Sequence, residues 1–86
     1  MTTVINQHVT VNAFYFSGRD MRTFPRAIEY GGEHVTFTNG LRWLVRRGAQ
    51  AISFFDMNTP GSDVTYRLRQ DEGGWTLLGL NAGEVR

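Results

Sequence analysis

The chain has 86 residues, 41% of them apolar and 20% charged, with nine basic side chains against eight acidic for a net charge of +1. That length suits one domain with a thin core, because so short a chain buries only about 60–65% of its unfolded surface. The lack of cysteine excludes a disulfide framework and any thiolate metal site. No window approaches the ~18 apolar residues of a membrane span, and the N-terminus lacks the charged and apolar regions of a signal peptide. A charge of +1 is too small for strong non-specific attraction to nucleic acid or an anionic membrane. A cytoplasmic protein is expected.

Short β-rich runs alternate with glycine punctuation at Gly31-Gly32, Gly48, Pro60-Gly61 and Gly73-Gly74. Residues 1–7 are expected to fray. A long first strand follows, in which Val9, Val11, Phe14 and Phe16 change phase at Ala13, the mark of a bulge. Phe24–Tyr30 and Glu33–Thr38 then form a hairpin around the two glycines, which supply positive φ for a primed turn. That register sets Ile28 opposite Val35 and Glu29 opposite His34, with Tyr30 and Phe37 on the apolar face. Pro25 suits an edge or the start of a strand.

The stretch Leu41–Phe54 admits two readings. Leu41, Leu44, Val45, Ala49 and Ile52 fit a helical stripe. Gly48 would cost that helix about 1 kcal/mol relative to alanine, whereas a turn wants it, and Ile52–Phe55 favours a strand. The hairpin is preferred, turning at Arg47-Gly48 and placing Trp43 opposite Ile52 and Leu41 opposite Phe54. The last hairpin joins Val64–Gln70 to Trp75–Leu80 through the loop Asp71–Gly74, pairing Leu68 with Leu77 and laying Tyr66 over Gly79. Residues 81–86 are expected to fray.

The sum is a single all-β domain over residues 1–86, with six or seven short antiparallel strands. With no helix to cover it, such a sheet must curl. A small SH3-like, partly open barrel or a two-layer sandwich results. Leu44, Phe55, Leu78 and Leu80 are left on a second face, more than one barrel interior holds, which suggests an interaction surface.

The order Pro25–Gly32, Leu41-Arg-Trp43, Phe55-Asp-Met57, Tyr66-Arg-Leu68 and Trp75-Thr-Leu77 resembles small uncharacterised all-β bacterial proteins. The resemblance covers roughly residues 24–80. It implies the fold and brings no activity.

Chemistry-bearing side chains are few. His34 opposite Glu29 makes a fixed imidazole, but His8 is remote in sequence and no nucleophilic triad can be assembled. Asp56–Gly61 begins like a calcium loop and then fails, with Pro60 and Arg67 where oxygen ligands belong. It reads instead as a turn, with Asn58 and Asp63 capping their own backbone. No phosphate-binding glycine pattern occurs, and a chain without lysine cannot build a P-loop. No cofactor and no metal are implied.

All nine basic residues are arginine. Arg42, Arg46 and Arg47 form a local run free of acids, Arg42 and Arg46 share a strand face, and Arg67 and Arg69 point together. With Trp43, Phe55 and Tyr66 nearby, they make the combination small barrels use on single-stranded nucleic acid. Arginine also solvates outer faces and protects sheet edges, which fits the small net charge better. On that reading, changing Arg42 and Arg46 to glutamine costs little stability. The expectation is therefore a non-enzymatic module that self-associates as a homo-oligomer or docks on a protein partner. The alternative is a nucleic-acid binder using Arg42, Arg46, Arg47, Arg67 and Arg69, and the third reading is a small enzyme around His34 and Glu29.

Overall fold

The computed structural model describes residues 2–19 and 21–82. Seven strands follow in chain order: β1 (Thr2–Ser17), β2 (Arg22–Tyr30), β3 (Glu33–Thr36), β4 (Asn39–Arg47), β5 (Gln50–Asn58), β6 (Thr65–Asp71) and β7 (Gly74–Asn81). They form one antiparallel sheet in the order β3-β2-β1-β7-β6-β5-β4. The all-β architecture is as the sequence implies, and the Leu41–Phe54 stretch is a hairpin rather than a helix.

Two devices curl the sheet. The first is β1, whose residues 2–9 pair with β7 while residues 10–17 pair with β2. The second is the step between the two edge strands, β3 and β4, which are consecutive in the chain. There the Phe37 N–H donates to the Arg26 carbonyl at 2.7 Å, and the next N–H, of Thr38, donates to the Asn58 carbonyl at 2.9 Å. One residue leans on β2 and its neighbour on β5. The sheet approaches itself there without closing, so the barrel is partly open.

The interior is filled by Ile28, Phe37, Phe55, Met57, Leu68 and Leu77, all buried. Aromatic rings connect the walls: Phe24 meets Phe55 edge-on at 6.1 Å, Phe55 meets Trp75 at 5.1 Å, and Phe37 meets Tyr66 at 5.3 Å. Because β2 and β5 are not neighbours in the sheet, the Phe24–Phe55 contact spans the interior.

Local registers follow turn chemistry. At the first hairpin both Gly31 and Gly32 have positive φ, as a type I′ turn requires, and Ile28 faces Val35 as expected. The second hairpin departs from expectation by two residues. Trp43 faces Phe54, Leu41 faces Asp56, and the turn is Gly48-Ala49. Gly48 alone carries the positive φ, the requirement at the first central position of a type II′ turn. A turn at Arg47-Gly48 would have forced that strain on an arginine. A two-residue slip leaves every side chain on its face, so the arginine and apolar rows survive it.

At the third hairpin Leu68 faces Leu77 as expected, across a turn of Glu72 and Gly73 in which the Gly73 N–H donates to the Asp71 carboxylate at 2.8 Å. Leu78 is then bulged out, so Tyr66 lies opposite Leu80 and not Gly79. Gly79 has another use: a Cβ there would collide with the Thr3 carbonyl, because β1 runs close against it.

The first strand also differs. Residues 2–7 do not fray; they pair with β7 up to a bulge at Asn6, which has φ of 53°. The second irregularity falls near Ala13 as expected, but the phase does not change there. Val9, Val11, Ala13 and Tyr15 stay half-buried while Phe14 and Phe16 are exposed, because Asn12 on β1 is offset by an extra residue, Arg26, on β2. Pro25 lies within β2, fully buried, ahead of the Ala27–Tyr30 stretch that pairs with β3. Asn58 does not cap its own turn; its side-chain amide donates to the Thr65 hydroxyl at 3.2 Å. Of the other residues expected to fray, Asn81 is paired as the last residue of β7, and residues 1 and 83–86 lie outside the described residues.

Burial pushes the Tyr15 hydroxyl above its ordinary pKa of 10.0, against a smaller opposing pull from Arg26. Tyr66 is raised too, first by burial and then by Glu33 and Tyr30. The folded chain therefore holds these protons more tightly than the unfolded chain. Stability is level below the unfolded pKa and falls as pH rises through the folded values. Urea midpoints should hold from neutral pH to about 10 and then drop, less steeply in Tyr15→Phe/Tyr66→Phe. A flat midpoint to about pH 11 would contradict this.

Candidate interaction surface along the open edge of strand β4

The β4 strand has a neighbour on one side only. A two-residue turn makes Arg47 and Gln50 the closing pair, which exchanges both backbone hydrogen bonds. By the alternation of an antiparallel ladder, Val45, Trp43 and Leu41 bond β5. Arg42, Leu44 and Arg46 therefore turn their N–H and C=O groups away from it. Side chains on this strand are unusually apolar for an edge: Leu41 is 69% exposed, Leu44 49% and Val45 41%.

The outer face beside this edge is organised around Trp43. Its ring stacks on Phe54 at 5.6 Å, 12° from parallel. The Arg67 guanidinium lies 5.2 Å from the same ring. That guanidinium is held by a bidentate pair with Asp56, Nε and Nη2 each donating at 2.8 Å. The hydrogen bond to Asp56 raises the Arg67 pKa further above its ordinary value. Its charge is thus both fixed and offset.

The other arginines go elsewhere. Arg69 Nε sits 3.2 Å from an Asp71 carboxylate oxygen, and Nη2 donates to the Thr76 hydroxyl at 3.5 Å. Arg42 turns to the inner side, where Nη1 donates to the Thr23 carbonyl at 3.1 Å and Cζ lies 5.5 Å over the Phe55 ring. Arg46 and Arg47 are exposed near the hairpin turn. The five arginines do not converge, and the Trp43 ring is already engaged by Phe54 and Arg67.

The four apolar residues expected on a second face do not form one. Phe55 is 1% exposed and central to the core, and Leu80 packs against that core. Leu78 sits at the β7 bulge, lining a hollow of about 210 Å³ with Val4 and Arg67. Only Leu44 is broadly exposed. Leu41 and Val45 were missed as surface residues because edge position is a property of the whole topology. Their signal was the apolar run Leu41-Arg-Trp-Leu-Val45 ending in two arginines.

His34 Nδ1 lies 3.0 Å from a Glu29 carboxylate oxygen, the expected cross-strand pair, with both side chains well exposed. His8 is placed elsewhere, opposite Thr76 in the β1–β7 ladder. A shallow hollow of about 400 Å³ between His8, Gln50, Ile52, Arg69, Asp71 and Thr76 mixes both signs of charge. Among the described residues, no group of three His, Asp or Glu side chains is placed to hold a metal ion. Among them too, no helix is long and apolar enough to cross a membrane. Comparison with protein families, curated proteins and solved structures finds no match.

Proposed function

We propose that this protein is a non-enzymatic interaction module that self-associates through the open edge of β4. One observation carries the reading: a nine-residue strand at the end of the sheet, hydrogen-bonded to a single neighbouring strand, bears Leu41, Leu44 and Val45 exposed. A bare edge offers a ready set of backbone donors and acceptors, and exposed apolar side chains add a driving force when another strand covers them. The arginines speak less for nucleic acid, since Arg67 and Arg69 sit against Asp56 and Asp71 and Arg42 faces inward.

Light scattering behind size exclusion tests this. Mean mass should rise with concentration toward twice 9.8 kDa. Leu44→Pro removes an N–H that faces the open side, so it should keep the fold and lose the association. A chain monomeric up to millimolar concentration would overturn the reading.

A further inference from the structure

We infer that the hollow over Thr76, on the outer face of β5, β6, β7 and β1, binds a free α-amino acid with an apolar side chain. The site is separate from the β4 edge and does not rest on the self-association reading. The register builds it. Arg69 lies opposite Thr76, and Thr76 in turn lies opposite His8, so the three form one row across the sheet. Residues directly opposite in a ladder share a face, and so do residues two apart on one strand. Asp71 therefore stands on the same face as Arg69. On β5, Phe54 faces Arg69, which puts Ile52 and Gln50 on that face as well. Thr76 is the shortest member of its row and is buried between its longer neighbours. The depression above it, of about 400 Å³, lies at the lower end of small-molecule sites, which run from about 300 to 1,000 Å³.

The arginine in this hollow is held loosely. Arg67, two residues earlier on β6, gives Asp56 two aligned hydrogen bonds at 2.8 Å. Arg69 makes nothing comparable. Its Nε is shut off from solvent and, although 3.2 Å from an Asp71 oxygen, is not aligned to donate a hydrogen bond to it. Nη2 reaches the Thr76 hydroxyl only at 3.5 Å. The other Asp71 oxygen accepts from the Gly73 N–H at 2.8 Å, which ties that carboxylate to its own turn. A buried donor without an aligned partner is costly, and a guanidinium so poorly used has donors left for a ligand.

Charge selects the ligand. Asp71 and Glu72 line the hollow together with Arg69. A simple anion there gains the arginine but meets two carboxylates, and a simple cation gains the carboxylates but meets the guanidinium. A molecule carrying both signs avoids either cost. Because the Arg69 and Asp71 charges stand side by side, the complement is a molecule whose own charges are adjacent and in reverse order. An α-amino acid carries its ammonium and carboxylate on one carbon. Its carboxylate takes Arg69 and the Thr76 hydroxyl, and its ammonium takes Asp71 and Glu72. Ile52 supplies an apolar wall for the side chain.

A proton NMR titration with L-leucine tests this. His8 lines the hollow, while the chain's other histidine, His34, sits apart in its pair with Glu29. The His8 ring signals should shift to saturation with a midpoint of about 1–10 mM, and those of His34 should stay in place. N-acetyl-leucine lacks the ammonium and leucinamide lacks the carboxylate, so each should bind at least ~tenfold more weakly. Arg69→Gln should weaken leucine binding by a similar factor. So should Thr76→Val, which keeps the side-chain shape and leaves Arg69 beside Asp71, with circular dichroism checking that each variant is folded. N-acetyl-leucine binding as well as leucine would make this a plain anion site, and leucinamide doing so a plain cation site; either result overturns the inference. So would His8 signals unmoved by leucine at about 100 mM, or unweakened binding in folded Thr76→Val. The light scattering that tests the β4 edge is untouched by any of these results.

Discussion

Phe55→Ala should leave the chain largely unfolded at room temperature, with a loss of about 3–5 kcal/mol. Phe55 is 1% exposed and is touched from three directions: Phe24 edge-on from β2, Trp75 from β7, and the Arg42 guanidinium above. A chain of this size has roughly 5–10 kcal/mol in total, and a two-sided interior one side chain thick cannot collapse into the space left behind. Trp75→Ala should cost less, about 2 kcal/mol, because Trp75 is only half-buried at the margin of the core. Thermal melts by circular dichroism order the two. If Phe55→Ala melts within a few degrees of the parent while Trp75→Ala is unfolded, the interior is centred elsewhere.

The contrast between these two residues marks where sequence reasoning reached and where it stopped. Phe55 looked like a second-face residue, because pairwise hairpin registers say which side chains share a face and not which face turns inward. Register itself was legible where glycine chemistry was decisive. Two glycines fix Ile28 against Val35, and the positive φ of Gly48 fixes Trp43 against Phe54 once Gly48 is given the first turn position. Bulges were legible only as disturbances. Near Ala13 the offset on β1 is cancelled by one on β2, which no reading of β1 alone can show.

Topology was the larger blind spot for the candidate site. That β1 joins β7 to β2, and that β3 and β4 become the two edges, depends on contacts between residues far apart in the chain. Edge status decides what the run Leu41–Arg47 can do. On an interior strand its alternation would be ordinary packing; on an edge it becomes exposed apolar surface beside unpaired backbone. The same topology divides the arginines, sending Arg67 to Asp56 on the outer face and Arg42 into the seam.

Arg42→Gln should destabilise the fold by about 1–2 kcal/mol, whereas Arg46→Gln should change it by less than ~0.5. Both were expected from sequence to be surface residues whose loss costs little, and the structure separates them. Arg42 reaches from β4, at one end of the sheet, to the Thr23 carbonyl on β2, whose first residues run beyond the reach of β3. It thereby ties the open seam beside the place where Phe37 and Thr38 already stitch it. Its guanidinium also lies over Phe55, so removal uncovers the largest core side chain. Glutamine is too short to hold the carbonyl and carries no charge for the ring. The Arg42 contacts are to a carbonyl and an aromatic face at short range, so added salt should leave the difference intact. In a Phe55→Leu background the Arg42→Gln loss should shrink by about 0.5–1 kcal/mol, the share owed to the ring. Equal losses for the two arginines would show that Arg42 is solvated like Arg46 and that the seam is held by the backbone alone.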